Sequence, residues 1–112
     1  MRTPRSEIPL LLELSRDRDP RVRRKAIAAL CPCEVKMHHS GIWERFLEMA
    51  DDPDSNVRRW IVHVLCDGSP AVYEARILGV LESLRNDADE RVKKSVRRVL
   101  AAHRHSGTLN IL

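Results

Sequence analysis

The sequence predicts an all-α protein built as a stack of three helix–turn–helix units. Three observations carry that prediction. The first is a motif of an aspartate, a short polar step, a valine and two basic residues. It stands at Asp19-Pro20-Arg21-Val22-Arg23-Arg24, Asp54-Ser55-Asn56-Val57-Arg58-Arg59 and Asp89-Glu90-Arg91-Val92-Lys93-Lys94, with the valines 35 residues apart both times. A period of roughly 20 to 50 residues marks units whose apolar face only a neighbour can cover. The second is the stripe after each valine, apolar or small at i+4, i+7 and i+8: Ala26, Ala29 and Leu30, then Ile61, Val64 and Leu65, then Val96, Val99 and Leu100. That spacing is one face of a 3.6-residue helix. The third is a second apolar pattern upstream of each motif, which supplies the partner helix.

The units are expected at about 8–32, 41–67 and 70–104, in one domain with a tail at 105–112. In the first, Leu11, Leu12 and Leu14 lie on the leading helix, Asp19 stands where an N-cap belongs and Pro20 takes the first helical position. The second unit repeats this with Phe46, Leu47 and Met49, a turn at Asp51-Asp52-Pro53 and Asp54 as cap, while Trp43 reads as core. In the third, Ser69 and Pro70 repeat the cap-and-proline arrangement before a longer helix to about Arg85 that carries Leu81 and Leu84. Cys31 to Ser40 reads as a long inter-unit loop. At i+5 of the second helices stand Ile27, Val62 and Arg97, so the last unit turns polar, as a capping unit must. The tail Leu109-Asn110-Ile111-Leu112 either docks back or contacts a second copy, so a homodimer is left open.

The three in-phase copies resemble the HEAT-repeat family, whose second helix opens with aspartate, then valine, a basic residue and a small or apolar stripe. The likeness covers about residues 8 to 103. It implies a right-handed α-solenoid with second helices lining a concave side, a protein-binding or scaffold role and no chemistry. It also implies that the first basic residue of each pair, Arg23, Arg58 and Lys93, bonds an aspartate such as Asp19 or Asp54 in its own or the next turn. HEAT-like DNA-repair glycosylases carry a catalytic acid in an aromatic-lined cleft, a constellation that cannot be assigned here. Some HEAT-like proteins attach bilins to phycobiliproteins, which these motifs do not single out.

Composition narrows the classes. A hydrophobic share of 43% in 112 residues supports one core, whereas four aromatic residues leave little for stacking platforms. No apolar run approaches the roughly 20 residues of a membrane span, and no secretory leader is read at the N-terminus. A cytoplasmic location is therefore expected. The three cysteines Cys31, Cys33 and Cys66 agree, being too few and odd in number for a disulfide scaffold. Cys31-Pro32-Cys33 followed by His38 and His39, with Cys66 at the repeat position of Cys31, raises a zinc reading. The C-x-C pair is shorter than the usual C-x2-C, and two of the cysteines are explained as small residues ending equivalent helices. No metal and no cofactor is therefore expected.

Charge gives the functional expectation. The net charge is +4, and basic residues concentrate at 16–25, six against two aspartates, and at 91–104, six against no acid. With the valine stripe in the core, a helical wheel puts Arg24, Arg59 and Lys94 opposite it, with His63 and Arg98 on the same side and Trp60 flanking. These six residues are the expected binding surface, a basic concave stripe for an acidic protein. The alternative is sequence-independent binding of a nucleic-acid backbone by the same residues. Trp60 reads either as an apolar anchor beside Arg59 or as a half-buried ring folded over the Cys31–Ser40 loop. His63 reads as a plain surface or half-buried histidine, since spacing brings no carboxylate or nucleophile near it. No phosphate loop, H-E-x-x-H helix, calcium loop or nucleophile elbow is present, so no enzymatic activity is expected.

Overall fold

A computed structural model describes residues 3–35 and 39–109, and these contain helices and turns but no strand. After a 3-10 turn at Arg5–Glu7 come α1 (Ile8–Leu14), α2 (Pro20–Leu30), the one-turn α3 (Pro32–Val35) and α4 (Ser40–Glu48). A 3-10 turn at Met49–Asp51 then leads to α5 (Ser55–Leu65), another at Ala71–Tyr73 to α6 (Glu74–Ser83), and α7 (Glu90–Ser106) follows. Helix α5 is central, packing against α2, α4 and α7, while α1 packs on α2 and α6 on α7. The second helices of the three units thus lie side by side, each backed by its own first helix.

The aspartates of the motif cap the second helices. Asp19 accepts the N–H of Arg21 at 2.9 Å; Asp54 accepts those of Asn56 (2.9 Å) and Val57 (3.1 Å); Asp89 accepts those of Arg91 (2.9 Å) and Val92 (3.1 Å). Each bond satisfies a donor that a helix start leaves without an intrahelical partner. What ends the helices differs by unit. Pro32 breaks the chain after α2, Gly68 takes the left-handed conformation (φ 76°) soon after α5, and α7, with neither, runs on to a left-handed cap at Gly107.

Of the two expected arrangements, Arg23 and Arg58 take the second: they pass over Asp19 and Asp54 and reach forward to an aspartate in the turn of the next unit. Arg23 grips Asp52 with Nε and Nη2, both at 2.8 Å, and donates Nη1 to the carbonyl of Asp17. Arg58 grips Asp87 with Nε at 2.9 Å and Nη2 at 3.0 Å, and donates Nη1 to the carbonyl of Asp52. Asp19 is instead gripped by Arg21 of its own turn, through Nε at 3.2 Å and Nη2 at 3.1 Å. Lys93, the third member, turns instead to Glu90 at 2.8 Å. The acceptors repeat too: Asp17, Asp52 and Asp87 each take the N–H of the capping aspartate two residues on, at 2.8, 3.0 and 3.4 Å. Both Arg–Asp pairs are largely shielded from solvent, with side-chain exposures of 11% and 7% for the first and 15% and 6% for the second.

The core is continuous from Ile8 to Leu109, and Phe46, Val57, Ile61, Leu65, Ile77, Leu81, Val92, Val96 and Val99 are fully enclosed. Trp43 belongs to it as expected, stacked on Tyr73 at 6.1 Å and edge-on to Phe46 at 5.5 Å. Leu109 is buried, so the start of the tail does dock back, while Asn110, Ile111 and Leu112 lie outside the described residues. Three local expectations change. Val22 is only half-buried, unlike Val57 and Val92. Pro70, extended at ψ 143°, precedes a 3-10 turn rather than opening α6, which starts at Glu74 and ends at Ser83. The Cys31–Ser40 stretch is not all loop, since α3 lies within it; His38 falls outside the described residues.

Removing one partner of a buried pair strands the other's charge, so Asp52→Ala is expected to destabilise the chain by roughly 3–5 kcal/mol. Asp54→Ala, which removes only a cap, is expected to cost about 1 kcal/mol. Urea melts of the two variants distinguish them. The backbone N–H of Val92, with Arg91, holds the Asp89 carboxyl below the usual range, and Arg21 does the same for Asp19. A carboxyl lowered in the folded state stabilises fully above its unfolded value of about 3.9, and that contribution is lost as pH falls through the folded value. Thermal stability is therefore expected to fall below about pH 4, with a shallower acid limb for Asp89→Asn.

Candidate binding cleft between the second helices

Packing α5 beside α7 leaves a cleft of about 230 Å³ lined by Arg59, Trp60, Val62 and His63 from α5 and by Ser95, Arg98 and Val99 from α7. Its composition follows from register. Val62 and Val99 turn inward as part of the buried core and supply an apolar floor. Arg59 and Arg98, on the outward arc, are exposed at its rim. Trp60 packs partly against the core and meets His63 edge-on, ring centroids 5.4 Å apart. The indole therefore keeps one side on protein and offers another to the cleft.

Four of the six expected binding residues, Arg59, Trp60, His63 and Arg98, thus converge. The other two do not join them. Arg24 is half-buried and lines a separate small hollow between α2 and the start of α5, with Pro20, Arg21, Asp54 and Asn56. Lys94 is exposed one turn before Arg98 and lines neither space. The single stripe drawn on a helical wheel is in space a cleft with two outlying cations. Spacing alone did not show Val62 and Val99 as its lining, although their positions along α5 and α7 were known. What makes the cleft chemically receptive is the electrostatic state of its cations. Among the described residues, neither Arg59 nor Arg98 makes a side-chain hydrogen bond or an ion pair, whereas Arg23, Arg45, Arg58 and Arg76 all do. Arg24 and Lys94 are likewise without such bonds among the described residues.

The cysteines arrange themselves differently from the expectation. Cys33 Sγ lies 3.1 Å from Cys31 Sγ, which lies 3.2 Å from Oδ2 of Asp67. The donor atoms of these three residues lie within 4.8 Å of one another, and Cys66 is not among them. His39 is committed elsewhere, its Nδ1 accepting the N–H of Ile42 as the cap of α4. Cys66 is buried, and burial pushes its thiol up to about 12; burial, with hydrogen bonding to Cys33 and Asp67, also raises that of Cys31. Cys33 is exposed. Because the thiolate is the reactive form, an aromatic disulfide reagent at pH 8 is expected to modify Cys33 quickly in the native chain, and all three thiols only in denaturant.

Stacked helix pairs joined by short turns, with their second helices side by side, define a helical-repeat protein of the α-solenoid class. The family described as HEAT repeats matches residues 8–101, and the chain belongs to the HEAT-repeat family. Neither a curated protein nor a solved structure gives a match. HEAT repeats are generally non-catalytic, protein-interaction modules. No helix among the described residues is long and apolar enough to cross a membrane.

Proposed function

We propose that the chain, as one domain with units near 8–32, 41–67 and 70–104, is a non-catalytic binding module that takes an acidic protein segment in the α5–α7 cleft. The observation that carries this reading is the pair Arg59 and Arg98, without hydrogen-bond or ion-pair partners among the described residues, over a floor of Val62 and Val99. An unpaired guanidinium at a rim is a bidentate donor for a carboxylate, and an aromatic beside it supplies apolar contact at low entropic cost. Trp60 is the anchor, and His63 braces its ring at 5.4 Å. Arg24 and Lys94, to either side, extend the positive field and raise the rate of encounter more than the final affinity.

The test is a titration of the full chain with a fluorescently labelled Asp/Glu-rich peptide and, separately, with a single-stranded oligonucleotide, each at low and physiological salt. Saturable peptide binding that falls at least tenfold in Arg59→Glu/Arg98→Glu and in Trp60→Ala, with unchanged circular dichroism, is the expected outcome. Peptide binding that both variants retain, or that never saturates, rejects the cleft. Oligonucleotide affinity that is indifferent to sequence and collapses with salt would transfer the same residues to a phosphate-backbone role.

A further inference from the structure

The Cys31, Cys33 and Asp67 cluster lies outside the proposed cleft and has no part in it. We propose that these three residues form a binding site for a thiophilic divalent cation of the zinc(II) type, with its remaining coordination position open to water.

Convergence is the first support. Two sulfurs and a carboxylate oxygen from positions 36 residues apart meet with separations of 3.1 and 3.2 Å. A tetrahedral zinc ion, with Zn–S near 2.3 Å and Zn–O near 2.0–2.2 Å, sets its sulfurs about 3.8 Å apart and a sulfur and oxygen about 3.6 Å apart, so those two separations need open by less than an ångström, and all three donor atoms already lie within 4.8 Å of one another. Two thiolates with one carboxylate form a borderline-soft donor set, suited to zinc(II) or cobalt(II) rather than to magnesium or calcium, which take oxygen alone.

Placement is the second support. Cys31 caps the C-terminal end of α2 and its carbonyl accepts the N–H groups of Glu34 and Val35, which fixes Cys33 on the following turn. Asp67 follows the C-terminal end of α5, its N–H bonded to the carbonyl of Val64. Two helix C-termini, the negative ends of their dipoles, thus flank the cluster and favour a positive charge there. The two turns are pressed together: a Cβ at Gly68, whose φ is 76°, would lie 3.7 Å from Cβ of Pro32. The ligands therefore sit on short, hydrogen-bonded turns of neighbouring units. Exposed Cys33 gives an ion access while buried Cys31 shields it from the inner side.

Binding exchanges water and protons only. The hydrated cation gains two Zn–S bonds and one Zn–O bond and loses water, and each thiol releases one proton to solvent. The site goes from a charge of −1 with two neutral thiols to −1 with the cation, two thiolates and the carboxylate. Because both thiols must lose their protons on binding, affinity rises with pH.

Cobalt(II) titrated into the reduced full chain under argon at pH 8 is the probe. One equivalent is expected to give a thiolate-to-cobalt absorption in the near ultraviolet, displaced by zinc(II). Cys33→Ser, an exposed change that leaves the fold intact, is expected to abolish that band. Asp67→Asn is expected to weaken binding at least tenfold, and Cys66→Ala to leave the titration unchanged. Absence of the band, its survival in Cys33→Ser, or its loss in Cys66→Ala overturns the assignment. So does a chain that forms a Cys31–Cys33 disulfide in air despite one equivalent of zinc(II).

Discussion

The rest of the structure depends on a carboxylate that serves two units at once. Asp52 holds its own turn by accepting the N–H of Asp54 and clamps the preceding unit by accepting Arg23; Asp87 does the same with Asp89 and Arg58. Isolated buried ion pairs add little net stability, because desolvation offsets most of the Coulomb attraction. Here the pair is bidentate, and each arginine also donates its Nη1 to a turn carbonyl. The guanidinium is thereby satisfied on every side that faces protein. The gain is geometric, since each unit's turn and its neighbour's second helix become one hydrogen-bonded object, which fixes the register in which Val57 and Val92 enter the core.

That same economy explains the surface. In α2 and α5 the first basic residue is consumed by the clamp and the second is left over. Arg58 is half-buried while Arg59, its exposed neighbour in sequence, projects about 100° away and pairs with no acid among the described residues. The unpaired state of the cleft cations follows from the motif, because the acids nearest the second helices are committed to turns and caps. A rigid set of clamps on one arc thus leaves a consistent positive arc on the other, and α5 and α7 place Arg59 and Arg98 on either side of the same apolar floor.

Much of this was legible in the sequence. The valine period and its stripes located the second helices, and the aspartates located their starts, because helix periodicity and N-capping are local rules. The first helices were legible by analogy between units, though the 3-10 turn before Glu74 was not, since Pro70 fits a helix start and an extended entry equally well. The identity of the arginine acceptors was missed because the pairing spans 29 residues and helical spacing is silent at that range. A signal did exist: Asp17, Asp52 and Asp87 recur at the period of the valines. Asp67 was also missed. Neither neighbouring unit carries an acid at its position, so only the contact between the Pro32 and Gly68 turns reveals it beside the cysteines. For the cleft, the wheel found the direction of the cations but not their division between two helices and a separate hollow.

The forward reach of the arginines makes the architecture a chain of identical couplings. Every internal joint presents the same acceptor in front and the same donor behind, so a joint does not encode which unit it belongs to. Length in such a molecule is set by counting rather than by shape. A duplicated segment of one period, inserted between α2 and α5, would meet an arginine waiting on one side and an aspartate on the other. The third unit departs from the pattern: Lys93 replaces the forked donor with a single ammonium and settles on its own helix's Glu90.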